Sequence, residues 1–178
     1  KSSSWAFEGF SAPSVGPLAR TGTPWHWYAD DSAAVGCGWT SPQPYSRHDV
    51  AVIDMAPGIS AARLEAMLTP RPEAVLLRAY GVGNVPSDEP GLTDVIADVL
   101  HDGVPVVIAS QCQQAEVLLG HYETGDAIAR AGAIGSGDMT LEATYAKIMF
   151  LLSQGVTGAD FGKWMHTSIA GEISPSSL

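Results

Sequence analysis

From Val50 onward the apolar residues fall into short unbroken runs, separated by longer stretches in which they recur every three or four positions. Three runs, Val50-Ala51-Val52-Ile53-Asp54-Met55, Ala74-Val75-Leu76-Leu77-Arg78-Ala79-Tyr80 and Pro105-Val106-Val107-Ile108-Ala109, are aliphatic along most of their length. That is the pattern of strands covered on both faces. Turn residues punctuate them: Pro57-Gly58 after the first, Thr69-Pro70-Arg71-Pro72 before the second and Gly81-Val82-Gly83 behind it. Between the runs, Ser60 can cap a helix through Leu68 with Leu64, Met67 and Leu68 on one face, and a second helix runs from about Leu92 to His101 with Gly103 as its stop. Further on, the pattern predicts a short fourth strand at Val117-Leu118-Leu119 and a helix from about Gly125 to Ala131. A long helix over Thr140 to Leu152 is expected to bury Ala143, Ala146, Met149, Phe150 and Leu152, with Asp138 and Glu142 suited to its positive end. A last helix spans about Ala159 to Ser168. Strands alternating with helices define an α/β domain, a small parallel sheet with helices on both faces.

Residues 14–49 lack either periodicity and are rich in Gly, Pro and Ser, the composition of an irregular interdomain segment. Within it, Trp25 and Trp27 alternate on one side of a short strand and are expected to cover a core edge or a subunit contact rather than a ligand. His26, Cys37 and His48 are too irregularly spaced to fix a metal geometry, so no metal is expected.

Composition changes this picture little but excludes some partners. Among 178 residues, 46% are apolar and 16% charged, enough for a sizeable core. A net charge of −10 opposes nucleic-acid binding, which needs a basic face, and no apolar run is long enough to cross a bilayer. The two cysteines, Cys37 and Cys112, form no CxxC pair, which points to a reducing cytoplasm. A first residue Lys1 rather than Met, without a signal pattern, leads to the expectation that something precedes it.

The candidate chemistry sits at the strand ends. Arg78 directly follows four apolar strand residues, so it must reach solvent at the sheet edge, meet an anion or form an ion pair. Ligands of open α/β sheets bind at the carboxyl edge, which puts Arg78, Tyr80 and Asn84 first. Gly81-Val82-Gly83-Asn84-Val85-Pro86 starts like a dinucleotide loop, but Pro86 holds the third glycine position and no cofactor is expected. No Gly-x-Ser-x-Gly elbow occurs and no histidine pairs with a serine or cysteine in the sequence, so Ser-His-Asp hydrolysis has no support. Cys112 has no neighbour in sequence to activate its thiol.

Four blocks, Arg78-Ala79-Tyr80-Gly81-Val82-Gly83-Asn84, Ser110-Gln111-Cys112, Tyr122-Glu123-Thr124-Gly125 and Gly137-Asp138-Met139-Thr140-Leu141-Glu142-Ala143, resemble in order and spacing the C-terminal domain of the asparaginase/glutaminase family, over roughly Val50 to Ser174. The likeness is to its cytoplasmic type I bacterial branch. On this resemblance residues 1–13 are the tail of an N-terminal catalytic domain, 14–49 the interdomain segment and 50–178 the asparaginase C-terminal domain. The family's threonine nucleophile and its Asp-Lys pair belong to the N-terminal domain and have no counterpart here, so no catalytic residue is assigned. The resemblance implies part of an L-asparaginase that hydrolyses L-asparagine to L-aspartate and ammonia without cofactor, assembled as a homodimer or homotetramer.

It also implies an asparagine effector site made by Arg78, Ser110, Gln111, Cys112 and Leu141, with Asn84 in a substrate-pocket wall. Pro86 replaces the second Asn of the secreted type II loop, and Glu116 or Glu123 matches that branch's glutamate only loosely. The alternative is a free-standing amino-acid-binding or interaction domain without catalysis. Relatives acting on charged transfer RNA share this domain but carry a further N-terminal module.

Overall fold

A computed structural model of the chain describes residues 2–11, 13–14, 17–28, 36–86, 89–119 and 126–174. The strands are β1 (Ala19–Arg20), β2 (His26–Trp27), β3 (Val50–Asp54), β4 (Ala74–Ala79), β5 (Val106–Ser110) and β6 (Ile134–Gly135). The helices are α1 (Ala61–Met67), α2 (Leu92–His101), α3 (Asp126–Ala131), α4 (Leu141–Ser153) and α5 (Gly158–Met165).

The sheet is parallel in the order β3-β4-β5-β6. Period-two alternation splits each central strand between two cores. Val75, Leu77, Val106 and Ile108 meet Leu64 of α1, Leu92, Ile96 and Val99 of α2 and Ile128 of α3 on one face. Leu76, Val107 and Ala109 meet Ile148 and Leu151 of α4 with Phe161 and Met165 of α5 on the other. Leu76, Leu77, Leu64, Ile148 and Phe161 have no exposed surface. Both sheet faces are therefore covered, as the unbroken apolar runs require.

Local chemistry explains the helix ends. Ser60 Oγ accepts the Arg63 N–H at 3.2 Å, Thr140 Oγ accepts the Ala143 N–H at 3.2 Å, and Gly103 takes φ +82° just past α2.

Four expectations are corrected. The fourth strand is Ile134–Gly135, whereas Val117 forms only an isolated antiparallel bridge with Gly137. A two-residue strand leaves almost no pattern, and it works because Gly135 has no side chain: a Cβ there would collide with the Val117 carbonyl. Met67 is 47% exposed, while Leu64 and Leu68 carry the buried face of α1. On α4 the buried residues are Thr144, Lys147, Ile148, Met149 and Leu151, and Ala146 is exposed. Two polar side chains made that face illegible: the Thr144 hydroxyl donates to the Thr140 carbonyl at 2.8 Å, and Lys147 is neutralised by an ion pair.

Trp25 and Trp27 are 57% and 69% exposed and stack on each other at 6.1 Å, so they cover no core edge among the described residues. The start of the predicted 125–131 helix at Gly125 and the Tyr122–Gly125 block, with Glu123, lie outside the described residues.

The Lys147 ion pair ties the C-terminal segment to the sheet. The Lys147 side chain is 3% exposed, and its ammonium sits 2.6 Å from Glu172 and donates to the carbonyls of Met165 and Thr167 at 2.9 and 2.7 Å. Glu172 in turn accepts the N–H groups of Ile169 and Ala170. Burial pushes the Lys147 ammonium below its usual range, and the Glu172 contact offsets only part of that. For Glu172, burial acts to raise the carboxyl, but the Lys147 hydrogen bond and the backbone donors outweigh it and hold it below its usual range.

Candidate functional site

The parallel register places the ends of β3, β4 and β5 side by side, with Asp54 opposite Arg78 and Arg78 opposite Ala109. The start of α4 faces the same edge. Between them lies a cavity of about 230 Å³ bordered by Arg78, Ser110, Gln111, Cys112, Thr140 and Leu141. Ser2, Ser11 and Pro13 close it from the N-terminal segment, and Gln114 Nε2 donates to the Pro13 carbonyl at 3.3 Å.

Each residue is held there by an identifiable contact. Arg78 Nη1 lies 2.9 and 3.0 Å from the two carboxylate oxygens of Asp54. Asp54 occupies Nη1 alone, and Arg78 Nε is buried without a hydrogen-bond partner among the described residues. A buried donor of a guanidinium with no acceptor is uncommon in folded proteins, so this edge of Arg78 is suited to an added acceptor. Asp54 is itself 60% exposed, so the pair is solvent-screened and contributes little to stability.

Gln111 is placed differently from a ligand-grasping residue. Its Nε2 donates to the carbonyls of Met55 at 2.7 Å and Arg78 at 2.9 Å, and its N–H donates to Ala79 at 2.9 Å. Gln111 thus ties together the ends of three strands and sets the height at which Arg78 leaves the sheet. The Ser110 hydroxyl donates to the Gly81 carbonyl at 2.5 Å and accepts the Cys112 N–H at 3.0 Å, which folds the strand end into a turn facing the cavity. Cys112 is exposed and carries a free thiol. Thr140 caps α4, so the positive end of that helix also points at the cavity's rim.

Asn84 is separate from this group. It forms a tight backbone bridge with Tyr80, with N···O distances of 2.8 and 2.9 Å, and is not among the residues bordering the cavity. Tyr80, whose hydroxyl is buried without a partner among the described residues, stands at the base of the same turn.

Asp138 does not serve the α4 terminus. Its carboxylate accepts the Ser174 N–H at 2.9 Å and the Ser174 hydroxyl, which fastens the C-terminal segment over the second core. Neither the serines of the N-terminal segment nor this clamp carries a pattern in the sequence, because both are contacts between residues far apart in the chain.

The expectation that no histidine pairs with a serine is also corrected. His48 Nε2 lies 2.8 Å from Ser46 Oγ, and His48 Nδ1 lies 2.9 Å from Glu73 Oε1. The Ser46–His48 contact is local, two residues apart in the chain, whereas Glu73 joins it only through the parallel pairing of β3 with β4. No helix among the described residues is long and apolar enough to cross a membrane.

The chain matches the model of the glutaminase/asparaginase C-terminal domain family over residues 49–165. It is 35% identical over 169 residues to L-asparaginase 1 of Escherichia coli (strain K12), a match covering 95% of this chain and 50% of that protein. Its structure is similar to that of L-asparaginase I from Vibrio cholerae O1 biovar eltor, with a TM-score of 0.79 at 33% identity, covering 92% of this chain and 49% of that one. The thermostable L-asparaginase from Thermococcus kodakarensis gives a TM-score of 0.81 at 28% identity over 98% of this chain and 52% of that one. The chain therefore spans about half the length of the relatives it matches. The family match over residues 49–165, on a sheet covered on both faces with its cavity at the strand ends, shows that the chain belongs to the glutaminase/asparaginase C-terminal domain family.

Proposed function

We propose that this chain is the C-terminal half of an L-asparaginase, an amidohydrolase converting L-asparagine to L-aspartate and ammonia. The observation that carries this reading is the 35% identity to a named L-asparaginase along nearly the whole chain, at half that protein's length. The nucleophile and its base are then supplied by an N-terminal domain, and this half supplies walls of the active site, Asn84 among them. The purified 178-residue chain alone is expected to release no ammonia from L-asparagine, and the protein that also carries the N-terminal domain is expected to release it steadily. Ammonia release by the chain alone, surviving controls for contaminating enzyme, would overturn that assignment.

The strand-end cavity is proposed as an effector site for a free amino acid, L-asparagine. Arg78 would take the α-carboxylate through the edge left by Asp54, and carbonyls of the Ser110–Cys112 turn would receive the ammonium group, with Leu141 and the α4 start as the far wall. The about 230 Å³ available fits a molecule of that size.

The alternative is a free-standing amino-acid-binding or interaction domain without catalysis, since Arg78 and the Ser110–Cys112 turn both lie within this domain. The intact mass of the protein from its own cells distinguishes the two: a species near 18.6 kDa with no copurifying chain supports the alternative.

The assembled protein is proposed to be a cytoplasmic homodimer or homotetramer. Exposed Trp5, Phe7, Trp25 and Trp27 support an assembly that covers them, and the unpaired thiols of Cys37 and Cys112 support a reducing compartment. Light scattering of the intact protein at working concentration is expected to give at least twice the protomer mass; a monomer alone would count against the assembly.

A further inference from the structure

At the opposite edge of the sheet from the strand-end cavity, three side chains stand in a row. Ser46 Oγ is 2.8 Å from His48 Nε2, and His48 Nδ1 is 2.9 Å from Glu73 Oε1. Their placement follows from the fold. Ser46 and His48 are two residues apart in the extended chain leading into β3, so their side chains share a side. Glu73 directly precedes β4, and the parallel pairing of β3 with β4 brings it beside them, with the Glu73 N–H donating to the Asp49 carbonyl at 2.8 Å.

The carboxylate is well anchored. Its second oxygen accepts the Asp49 N–H at 2.7 Å, and the His48 ring, followed by that N–H, holds it below the usual carboxylate range. An ionised carboxylate only accepts, so the imidazole proton belongs on Nδ1 and Nε2 is left to accept from the Ser46 hydroxyl. The His48 side chain is 15% exposed, whereas Ser46 is open to solvent. A shielded base behind an accessible hydroxyl is the arrangement that activates a serine.

Two further features lie next to it. An apolar cavity of about 310 Å³ runs between this segment and α4, bordered by Tyr45, Tyr145, Met149, Phe150 and Ser153. Ser153 Oγ is 3.5 Å from Ser46 Oγ and accepts the Ser46 N–H at 3.2 Å, so the cavity opens beside the hydroxyl. The N–H of Arg47, the residue after the serine, enters no hydrogen bond among the described residues, and the exposed Arg47 side chain enters no ion pair among them. The backbone N–H is thus an unengaged donor next to the serine, while the Arg47 side chain, between Ser46 and His48 in the extended chain, leaves from the other side.

We propose that Ser46, His48 and Glu73 form a second hydrolytic site, acting on small carboxylic esters whose acyl group enters the Tyr45–Phe150 cavity. Ser46 Oγ attacks the ester carbonyl while its proton passes to His48 Nε2. The bond to the alcohol oxygen breaks as that nitrogen returns the proton to the leaving alkoxide. Water, deprotonated by the same nitrogen, then attacks the acyl-serine, which releases the carboxylic acid and restores the Ser46 hydroxyl. Glu73 holds the imidazole in the required tautomer and is a positioning residue.

The test uses the full-length protein that carries this chain and two probes, paraoxon and p-nitrophenyl butyrate. Peptide mass mapping after paraoxon treatment is expected to find a diethylphosphoryl group on Ser46. Ser46→Ala is expected to lower p-nitrophenyl butyrate hydrolysis at least about a hundredfold, and Glu73→Gln to lower kcat with little change in KM. Circular dichroism melting confirms that each variant is folded. An unlabelled Ser46, or a folded Ser46→Ala protein that keeps the wild-type rate, overturns the site. If Ser46→Ala does not fold, the mapping on the unmodified protein decides alone.

Discussion

Replacing Glu172 with Ala is expected to lower the stability of this domain by about 3 to 5 kcal/mol, because it leaves the Lys147 ammonium buried beneath α5 without its counter-charge. The carbonyls of Met165 and Thr167 remain as acceptors, which places the expected loss toward the lower end. The N–H groups of Ile169 and Ala170 lose their common acceptor at the same time, so the turn over α4 loosens as well. Lys147→Met is expected to be far milder, at about 1 kcal/mol or less, since it removes the buried charge and leaves Glu172 with its backbone donors. Urea midpoints of the two variants measure the difference. Equal midpoints would mean that the pair contributes packing and not charge.

The pH dependence has a defined sign on each side. Glu172 is held below its ordinary value of 4.5, so its contribution is complete above that value and is lost as pH falls below it. Lys147 is also depressed, from 10.5, so the unfolded chain binds the extra proton between the folded value and 10.5, and stability rises with pH across that window. Lys147→Met removes the alkaline rise and weakens the acid loss. An unchanged pH profile in that variant would contradict both assignments.

The second large effect concerns Arg78. In the full-length protein, Arg78→Ala is expected to weaken effector binding about ten- to hundredfold, equivalent to about 1.5 to 3 kcal/mol, since a charge-assisted carboxylate contact is lost from a partly buried site. Turnover at saturating L-asparagine is expected to persist, because on the proposed reading the nucleophile belongs to the N-terminal domain, while sigmoidal dependence on L-asparagine disappears. Substituting Asp54 by Asn separates this from a structural role. That change breaks the ion pair but keeps the guanidinium, so sigmoidal behaviour is expected to survive. A variant Arg78→Ala with an unaltered sigmoidal curve, or a wild type with none, would leave Arg78 as an ion-pair partner of Asp54 only.

Residue pattern and three-dimensional contact contributed differently to these conclusions. The three long strands, the caps Ser60 and Thr140 and the stop at Gly103 were legible because each depends on residues within a few positions of one another. That Arg78, Ser110, Gln111, Cys112 and Leu141 border one cavity was also foreseeable, since strand ends in a parallel sheet share an edge. Gln111 shows the limit of that reasoning: its position was readable, yet only the folded structure reveals that its amide donates to the carbonyls of Met55 and Arg78.

The sequence by itself determined the α/β class, the helical and strand periods of residues 50–165 and the family, because binary pattern and turn chemistry are local and survive without knowledge of distant partners. Tertiary structure alone decided which polar residues are inside. Lys147 reads as a solvent-facing residue of α4 until Glu172, from beyond α5, arrives to neutralise it. Likewise His48 is an isolated loop histidine until the pairing of β3 with β4 sets Glu73 beside it, and Gly135 carries no strand signal until the Val117 carbonyl packs where its side chain would be. In each case the deciding energy is an interaction between groups far apart in the chain, whose strength depends on desolvation and on distances that only the folded backbone establishes.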